Sequence, residues 1–261
     1  MLNSASMTLG NALVTGAGRR IGRAIAEGLA KQGWSVAVHG RTSDADLNAV
    51  AAGIVRGGKR AAIVAADLAD EAAVTQLIPR AAKALRGPIT LLVNNASAFE
   101  HDDWETATRA NWDMHLEANL RAPFVLMQEF ARALPAEAAH GPGGVIINLL
   151  DQRVWNLTDQ FVSYTVSKAA LWTLTQTMAL ALAPRIRVAG IGPGPTMPSK
   201  HQSDEQFAAQ AAATPLGIPA TTADIVRAVQ FIVNTPSFTG QMLALDAGQH
   251  LMPFKRPTAD Q

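Results

Sequence analysis

Short apolar segments alternate with helix-length amphipathic segments along almost the whole chain, and this alternation constrains the fold more than any other feature. The apolar segments are NALVT, SVAVH, RAAIVAAD, ITLLVNN, GGVIINLL, RIRVAGIG and QMLALDAG. Strands that are apolar on both faces are typical of a buried parallel sheet, and the intervening segments have the apolar spacing of helices. The pattern predicts an α/β fold with a doubly wound parallel sheet of about seven strands flanked by helices.

No linker, repeat or low-complexity segment divides this pattern. We therefore expect a single Rossmann-type domain over residues 9–250, with an N-terminal extension at 1–8 and a polar, proline-containing tail at 251–261. The segment EAAVTQLIPRAAKAL is predicted to be one helix, and a long helical region is predicted from about Asp103 to Leu134.

Charge and composition exclude several classes of protein. The net charge of +1 gives no electrostatic basis for binding nucleic acid or an anionic membrane. The absence of cysteine excludes disulfides and thiol catalysis, and the six histidines are too scattered to predict a metal site. The N-terminus lacks the pattern of a signal peptide, and no apolar run approaches the roughly 18 residues of a membrane span. We expect a cytoplasmic protein that acts on a small molecule.

The first strand is followed by the glycine-rich turn TGAGRRIG, with Gly16, Gly18 and Gly22 ahead of a helix. Glycines allow a tight turn and let a pyrophosphate approach the backbone at a helix N-terminus, where free N–H groups favour anions. The alternative is a tight connection without a ligand. The position between the first strand and the first helix favours dinucleotide binding.

The end of the second strand, HGRTS, indicates which dinucleotide is bound. Proteins that bind NAD usually place an acidic residue here, whereas this chain has Arg41, Thr42 and Ser43, with Arg19 and Arg20 in the glycine turn. Such residues suit a 2′-phosphate and predict NADPH. In the alternative interpretation these arginines are solvated, and Asp44 and Asp46 cap the next helix.

Polar residues also follow the third and fourth strands. Asp67 and Leu68 lie where they could meet an adenine, although Asp67 could equally cap a helix. The run Asn94-Asn95-Ala96-Ser97-Ala98-Phe99 follows the fourth strand. Its asparagines can brace neighbouring backbone and contact a ribose, and Phe99 offers a flat ring.

Tyr164 is the only tyrosine, and Lys168 follows it by four residues on a predicted helix, so both side chains lie on one face. A phenol titrates near pH ~10, so an adjacent ammonium would make it a better proton donor or acceptor at neutral pH. Asp151 directly follows the fifth predicted strand, and we expect it to meet Tyr164 in one cleft. Taken alone, a Tyr and a Lys at this spacing are more often packing and solvated charge.

With these motifs in order, the chain resembles the short-chain dehydrogenase/reductase family from Thr15 to Gly248. The matches include TGAGRRIG, Asn94-Asn95-Ala96, Asn119, the Tyr164 and Lys168 pair, and Pro193-Gly194. Arg20, the carboxylate of Asp151 in place of the family's usual serine, and the Asn-Asn-Ala-Ser-x-Phe run are most similar to the pteridine reductases.

The resemblance implies a role for individual residues. Tyr164 would donate a proton together with Asp151, Lys168 would bind the nicotinamide ribose, and Asn119 would link Lys168 through water to a proton path. Ser97, Phe99, Asp151 and Tyr164 would face the substrate. The cofactor-binding residues would be Gly16, Arg19, Ile21, His39, Arg41, Thr42, Asp67, Leu68, Asn95, Ala96, Tyr164, Lys168, Pro193 and Gly194.

The function that we expect is NADPH-dependent hydride transfer to a C=N bond of a dihydropterin or dihydrofolate, by a homotetramer. One alternative is a reductase of small carbonyls or 3-oxoacyl thioesters, because the Asn119, Tyr164 and Lys168 set serves the whole family. A non-enzymatic alternative is an NADPH-binding regulator. Departures from the family pattern, namely DAGQ for DGG and an unusual loop at about 196–214, leave the substrate open.

Overall fold

A computed structural model describes residues 9–135, 143–199 and 202–253 and shows a seven-stranded sheet. The strand order is β3-β2-β1-β4-β5-β6-β7, and every neighbouring pair is parallel. The doubly wound fold predicted from the alternation is therefore confirmed. The strands are β1 Asn11–Val14, β2 Ser35–Gly40, β3 Ala61–Ala65, β4 Ile89–Asn94, β5 Gly144–Leu149, β6 Ile186–Pro193 and β7 Met242–Leu245.

Helices cover both faces of the sheet, which explains why the strands are apolar on both sides. Successive strand residues point to opposite faces. Ala12 and Val14 pack with α1, α2 and α9, whereas Leu13 between them packs with α4 and α6. The helices are α1 Arg20–Gln32, α2 Ala45–Arg56, α3 Glu71–Thr75, α4 Leu77–Leu85, α5 Arg109–Leu116, α6 Ala122–Ala133, α7 Val162–Leu182, α8 Asp204–Ala212 and α9 Thr222–Asn234.

Two helical segments differ from their prediction. The segment predicted as one helix after β3 is divided at Gln76, because Pro79 has no N–H to continue the hydrogen-bond ladder. The region predicted to be helical from Asp103 begins only at Arg109. The Asp103 carboxylate instead accepts the N–H groups of Glu105 at 3.0 Å and Thr106 at 2.8 Å, which forms a turn.

A single turn of π-helix, Glu117–Arg121, joins α5 to α6. Such a turn inserts an extra residue into the helical ladder and is frequent at functional sites. It carries the buried Asn119 and directs this side chain towards the segment after β4.

Some predictions concern residues outside this description. The proposed N-terminal extension, 1–8, and most of the proposed tail, 254–261, lie outside the described residues. Within the described ranges, no helix has both the length and the apolarity needed to cross a bilayer. Across the same ranges, no three His, Asp or Glu side chains converge as metal ligands would.

The glycine turn after β1 is held by side chains from two neighbouring strands. Gly16 has a φ of 62° and donates its N–H to Nδ1 of His39 at 3.3 Å, while Nε2 of His39 lies 3.1 Å from the carbonyl of Ala66. Asn95 donates its amide to the Thr15 carbonyl at 2.8 Å, which is the bracing role expected for this asparagine. A Cβ on Gly22 would lie 2.1 Å from the Gly16 carbonyl, so only glycine permits this approach.

His39 should make the protein less stable in mild acid. Burial, the main cause, and Arg80 lower the pKa of His39 to about 4 from 6.5. The neutral ring is thus favoured by folding, so its contribution is complete above pH 6.5 and is lost as the pH falls towards 4. The loss should approach roughly 3 kcal/mol. Urea unfolding of cofactor-free protein between pH 7 and 4 measures it.

The control for this measurement is His39→Gln, which cannot titrate at position 39. The difference in unfolding free energy between wild type and variant should shrink as the pH falls. Parallel curves for the two proteins would contradict the assignment of a buried neutral imidazole.

Candidate active site

Tyr164 and Asp151 meet at the carboxyl edge of the sheet. Strand β5 ends at Leu149, Asp151 begins a short 3-10 turn, and Tyr164 lies in the first turn of α7. The Tyr164 hydroxyl donates to Oδ2 of Asp151 at 2.9 Å. The two groups expected to share one cleft are thus in direct contact.

The electrostatics of the phenol differ from the expectation that Lys168 acidifies it. The pKa of Tyr164 is raised well above 10, first by burial and then by the negative charge of Asp151. Nζ of Lys168 donates to the Leu149 carbonyl at 2.8 Å and lies 5.8 Å from the Tyr164 ring centroid. In the protein alone, the phenol therefore keeps its proton and is suited to act as a donor.

Arg153 fixes the second oxygen of Asp151, and sequence reasoning missed this residue. Its backbone N–H donates to Oδ1 of Asp151 at 2.8 Å, and its Nη1 lies 3.5 Å from Oδ2. Both side chains are mostly buried, so their charges are weakly screened. The arginine thus compensates the carboxylate that contacts the phenol.

The Asn119 side chain binds both the segment after β4 and Ser167 of α7. Its amide donates to the Ala98 carbonyl and the Ser167 hydroxyl, both at 3.0 Å. Its oxygen accepts the Ala98 N–H at 2.7 Å and the Ser97 hydroxyl at 3.2 Å. Both amide protons and both lone pairs of the amide oxygen are engaged, so a water link to Lys168 would use the main chain.

An aromatic wall stands beside the phenol. The rings of Phe99 and Phe161 stack with centroids 4.6 Å apart and planes inclined by 7°. The ring of Phe99 also meets Tyr164 edge-on at 4.7 Å. One face of Phe99 is therefore covered by Phe161, a residue that the sequence did not indicate, because its partner is 62 positions away.

The arginines predicted to bind the 2′-phosphate differ in whether other side chains already pair with them. Arg19 pairs with Asp46 and, at 3.6 Å, with Asp44, and Asp44 also caps α2 by accepting the Leu47 N–H. The alternative in which acidic residues cap the next helix is thus correct for Asp44. Arg41 is exposed and has no ion pair or hydrogen bond with any described residue. Arg41 is therefore free to meet a phosphate.

Arg20 has a role that sequence reasoning did not assign. Its guanidinium donates to the carbonyl of Pro198 at 2.5 Å and to that of Met197 at 3.2 Å. These carbonyls belong to the segment that follows β6. Arg20 therefore ties that segment to the glycine turn across the mouth of the cleft.

One cleft of about 1600 Å³ contains most of the predicted site residues. Those that line it are Gly16, Ile21, His39, Arg41, Asp67, Leu68, Asn95, Ala96, Ser97, Phe99, Asp151, Tyr164, Lys168, Pro193 and Gly194. Three predicted residues, Arg19, Thr42 and Asn119, do not line it. Both ring nitrogens of His39 are occupied by the backbone, and the Asp67 carboxylate accepts the Ala69 N–H at 3.0 Å.

The sequence matches known proteins along nearly its whole length. A family model described as short chain dehydrogenase matches residues 10–208. The chain belongs to the short-chain dehydrogenase family. It is therefore an oxidoreductase, with the fold and the Tyr164 and Lys168 pair on which the resemblance was based.

Two structures and one sequence show the range of this short-chain dehydrogenase's relatives. A FolM alternative dihydrofolate reductase 1 from Brucella canis, complexed with NADP, is 44% identical with a TM-score of 0.89 and covers 98% of both chains. The Brucella suis protein of the same description, also with NADP, is 44% identical with a TM-score of 0.89 over 95% of this chain and 98% of its own. The L-xylulose reductase of Bos taurus is 36% identical over 244 residues, 91% of this chain and 95% of its own.

Removing Lys168 should stabilise this short-chain dehydrogenase while harming its site. Burial lowers the pKa of Lys168 to about 8 from 10.5, so its ammonium opposes folding by about 3 kcal/mol below pH 8. Lys168→Met removes that penalty and a hydrogen bond worth roughly 1 kcal/mol. The free energy of unfolding should rise by roughly 2 kcal/mol at pH 7.

Urea unfolding at several pH values tests this expectation. The gain should fade as the pH rises from 8 to 10.5, because above pH 10.5 the wild-type amine is neutral in both the folded and the unfolded state. The exposed Lys83→Met on α4 is a matched control and should change stability little. A Lys168→Met protein that is less stable than wild type at pH 7 would contradict the buried charge.

Proposed function

We propose that this protein is an NADPH-dependent reductase that transfers a hydride to a C=N bond of a dihydropterin or dihydrofolate. The observation that carries this proposal is the contact between the Tyr164 hydroxyl and the Asp151 carboxylate beside the Phe99 ring. A carboxylate can accept hydrogen bonds from an aminopyrimidine edge, and an aromatic ring can stack on a flat heterocycle. A small aliphatic ketone offers a partner to neither group.

The residues of the cleft fit NADPH. The glycine turn opens onto the cleft, and no side chain caps the N-terminus of α1, so its N–H groups are available to a pyrophosphate. The exposed guanidinium of Arg41 suits a 2′-phosphate. Asn95, Pro193 and Lys168 line the remainder of the same cleft. When bound, the cofactor supplies the hydride.

The proton comes from this chain's own residues. Tyr164 holds its proton because burial and Asp151 disfavour the phenolate. When donors on a substrate engage Asp151, the effect of that carboxylate on the phenol weakens, and the pKa of Tyr164 falls. Tyr164 then gives its proton to the ring nitrogen that acquires negative charge, and the ammonium of Lys168 stabilises the phenolate that remains.

The relatives support this proposal and also supply a second candidate. The two Brucella proteins described as dihydrofolate reductases match 98% of their own length. L-xylulose reductases match almost as broadly, so reduction of a ketose carbonyl by Tyr164 and Lys168 is the alternative. The aromatic wall favours the pterin over a ketose, because only the pterin has a flat ring that can stack on it.

We also propose that the protein is a homotetramer. Two large apolar side chains of α7, Val166 and Leu180, are 41% and 83% exposed, and Trp104 is 81% exposed. Helix α7 also carries Tyr164 and Lys168. Exposed apolar side chains that gather into one patch are typical of surfaces between subunits, and we propose that these side chains lie in such surfaces.

A substrate panel tests the proposed function. Purified protein should oxidise NADPH with dihydrobiopterin or dihydrofolate, and Tyr164→Phe should lower kcat by roughly 10²- to 10⁴-fold because the proton donor is lost. The affinity for NADPH, measured by fluorescence titration, should stay nearly unchanged. Turnover with L-xylulose or an acetoacetyl thioester, but with no pterin, would reject the proposal.

Asp151→Ser should separate the two candidate substrates. Serine supplies a hydroxyl donor for a carbonyl but removes the charged carboxylate that accepts from an aminopyrimidine edge. We expect kcat/KM for dihydrobiopterin to fall at least about 100-fold. Activity with small ketones should be kept or gained. Equal losses on both substrates would mean that Asp151 does not recognise the pterin.

Arg41→Asp tests the phosphate site. An aspartate at the end of β2 repels a 2′-phosphate and accepts hydrogen bonds from a ribose, so preference should shift from NADPH towards NADH. We expect KM for NADPH to rise roughly 10- to 100-fold. The exposed Arg56→Asp, at the far end of α2, is the matched control. Unchanged preference in Arg41→Asp would place the phosphate elsewhere.

A further inference from the structure

Phe161 has a backbone conformation that a bulky residue rarely adopts. Its φ is 57° and its ψ is 46°, in the left-handed region, at the residue that precedes α7. This conformation is unfavourable for an aromatic residue and persists only where its surroundings enforce it. It places the ring flat against Phe99, with the Arg153 guanidinium over the ring at 5.0 Å. The position of the Phe161 ring in the wall therefore depends on the contacts that keep this residue in its left-handed conformation.

Asp102 holds the backbone on both sides of Phe161. The Asp102 carbonyl accepts the Phe161 N–H at 2.6 Å. Its carboxylate accepts the Ser163 N–H at 3.3 Å and also the Ser163 hydroxyl. Asp102 and Ser163 are fully buried. One residue from the segment after β4 thus brackets the strained position at the start of α7.

His115 extends these bonds back to Phe99. Its Nδ1 lies 2.7 Å from the Ser163 hydroxyl, and its Nε2 accepts the Glu100 N–H at 3.0 Å. The Ser163 hydroxyl gives its single proton to Asp102, so it must accept from Nδ1. Burial lowers the pKa of His115, which agrees with a neutral ring. Each group therefore donates to the next in a single direction. The Glu100 N–H donates to His115, His115 donates to Ser163, and Ser163 donates to Asp102.

The same three side chains occur in hydrolytic triads, but their order here is different. The serine is in the middle and donates to the carboxylate, so its oxygen is not activated by the imidazole. All three residues are buried beneath the cleft, and none lines it. The arrangement can hold backbone in place but cannot attack a substrate.

We propose that Asp102, Ser163 and His115 are positioning residues that hold the Phe99–Phe161 pair and thereby select a flat ring over a small open-chain carbonyl. At one end of this hydrogen-bond network, His115 binds Glu100, the residue next to Phe99. At the other end, Asp102 binds the backbone N–H groups of Phe161 and Ser163. The selection of a pterin by this wall rests on the proposed function. The effect is expected on substrate binding, because among the described residues no hydrogen bond joins Asp102, Ser163 or His115 to the side chains of Asp151, Tyr164 or Lys168. The only ring contact between these two groups in the same ranges is that of His115, which meets Tyr164 edge-on with centroids 5.9 Å apart.

Ser163→Ala removes the central hydroxyl of the hydrogen-bond network without adding volume. We expect KM for dihydrobiopterin to rise roughly tenfold, with kcat within about twofold and KM for NADPH unchanged. Thr173→Ala is the matched control, because it removes an exposed hydroxyl from the same helix. His115→Phe should act like Ser163→Ala. His115→Gln restores an acceptor for the Glu100 N–H and should recover part of the affinity.

Hydrogen exchange provides a readout that needs no substrate. The amides of Glu100 and Phe161 should exchange at least about tenfold faster in Ser163→Ala than in wild type or Thr173→Ala. Unchanged exchange at both amides would overturn the positioning role, even in a protein that reduces no pterin. Faster exchange with an unchanged KM for dihydrobiopterin would overturn the selection.

Phe161→Leu is the second variant, for use where Ser163→Ala fails to fold. It removes the flat ring and leaves the three positioning residues intact. We expect the same rise in KM for dihydrobiopterin, with the Glu100 amide still protected. Full retention of pterin affinity in Phe161→Leu would overturn the inference. If the wild-type protein reduces only small carbonyls, the proposed function is rejected. The exchange rates of the Glu100 and Phe161 amides would still test whether the three residues hold the wall.

Discussion

The contact between the Tyr164 hydroxyl and the Asp151 carboxylate is the interaction on which the site depends. It joins a strand end to a helix start, so it exists only because β5 and α7 are held in register. Buried polar side chains maintain that register. Asn94 of β4 donates to Asn148 of β5 at 2.8 Å, and Asn148 donates to Thr175 of α7 at 2.9 Å. Such buried bonds are costly to break and therefore fix one arrangement.

The parallel, doubly wound sheet was predictable because both of its faces are covered by helices. Segments such as ITLLVNN and GGVIINLL are apolar throughout, and that pattern suits a buried parallel strand. Helix boundaries were less predictable, since they depend on single side chains. Pro79 breaks one predicted helix, and Asp103 replaces a predicted helical turn with its own hydrogen bonds. The spacing of apolar residues contains no information on either of these side-chain effects.

Site residues were predictable where they directly follow a strand or the first helical turn. Asp151, Asn95 and Lys168 belong to this group, because the topology brings all strand ends to one edge. Phe161, Asp102 and His115 were not predictable. Their roles come from contacts between segments about 50 to 60 residues apart and from a left-handed backbone that no sequence pattern marks. The direction of the pKa shift of Tyr164 was also not predicted, because burial raises the pKa of a phenol that Lys168 was expected to make more acidic.

The relatives show why these unpredicted contacts matter for specificity. Proteins described as dihydrofolate reductase and as L-xylulose reductase share the fold at 44% and 36% identity. A fold that hosts both chemistries does not itself choose a substrate. Tyr164 and Lys168 suit any acceptor that needs a proton after hydride arrival. The choice must lie in groups that contact the rest of the substrate, and in the proposed function these are Asp151, with its Arg153 partner, and the wall formed by Phe99 and Phe161. Because that wall is strained and held from beneath, its shape is set before a substrate binds, which lowers the cost of ordering the site.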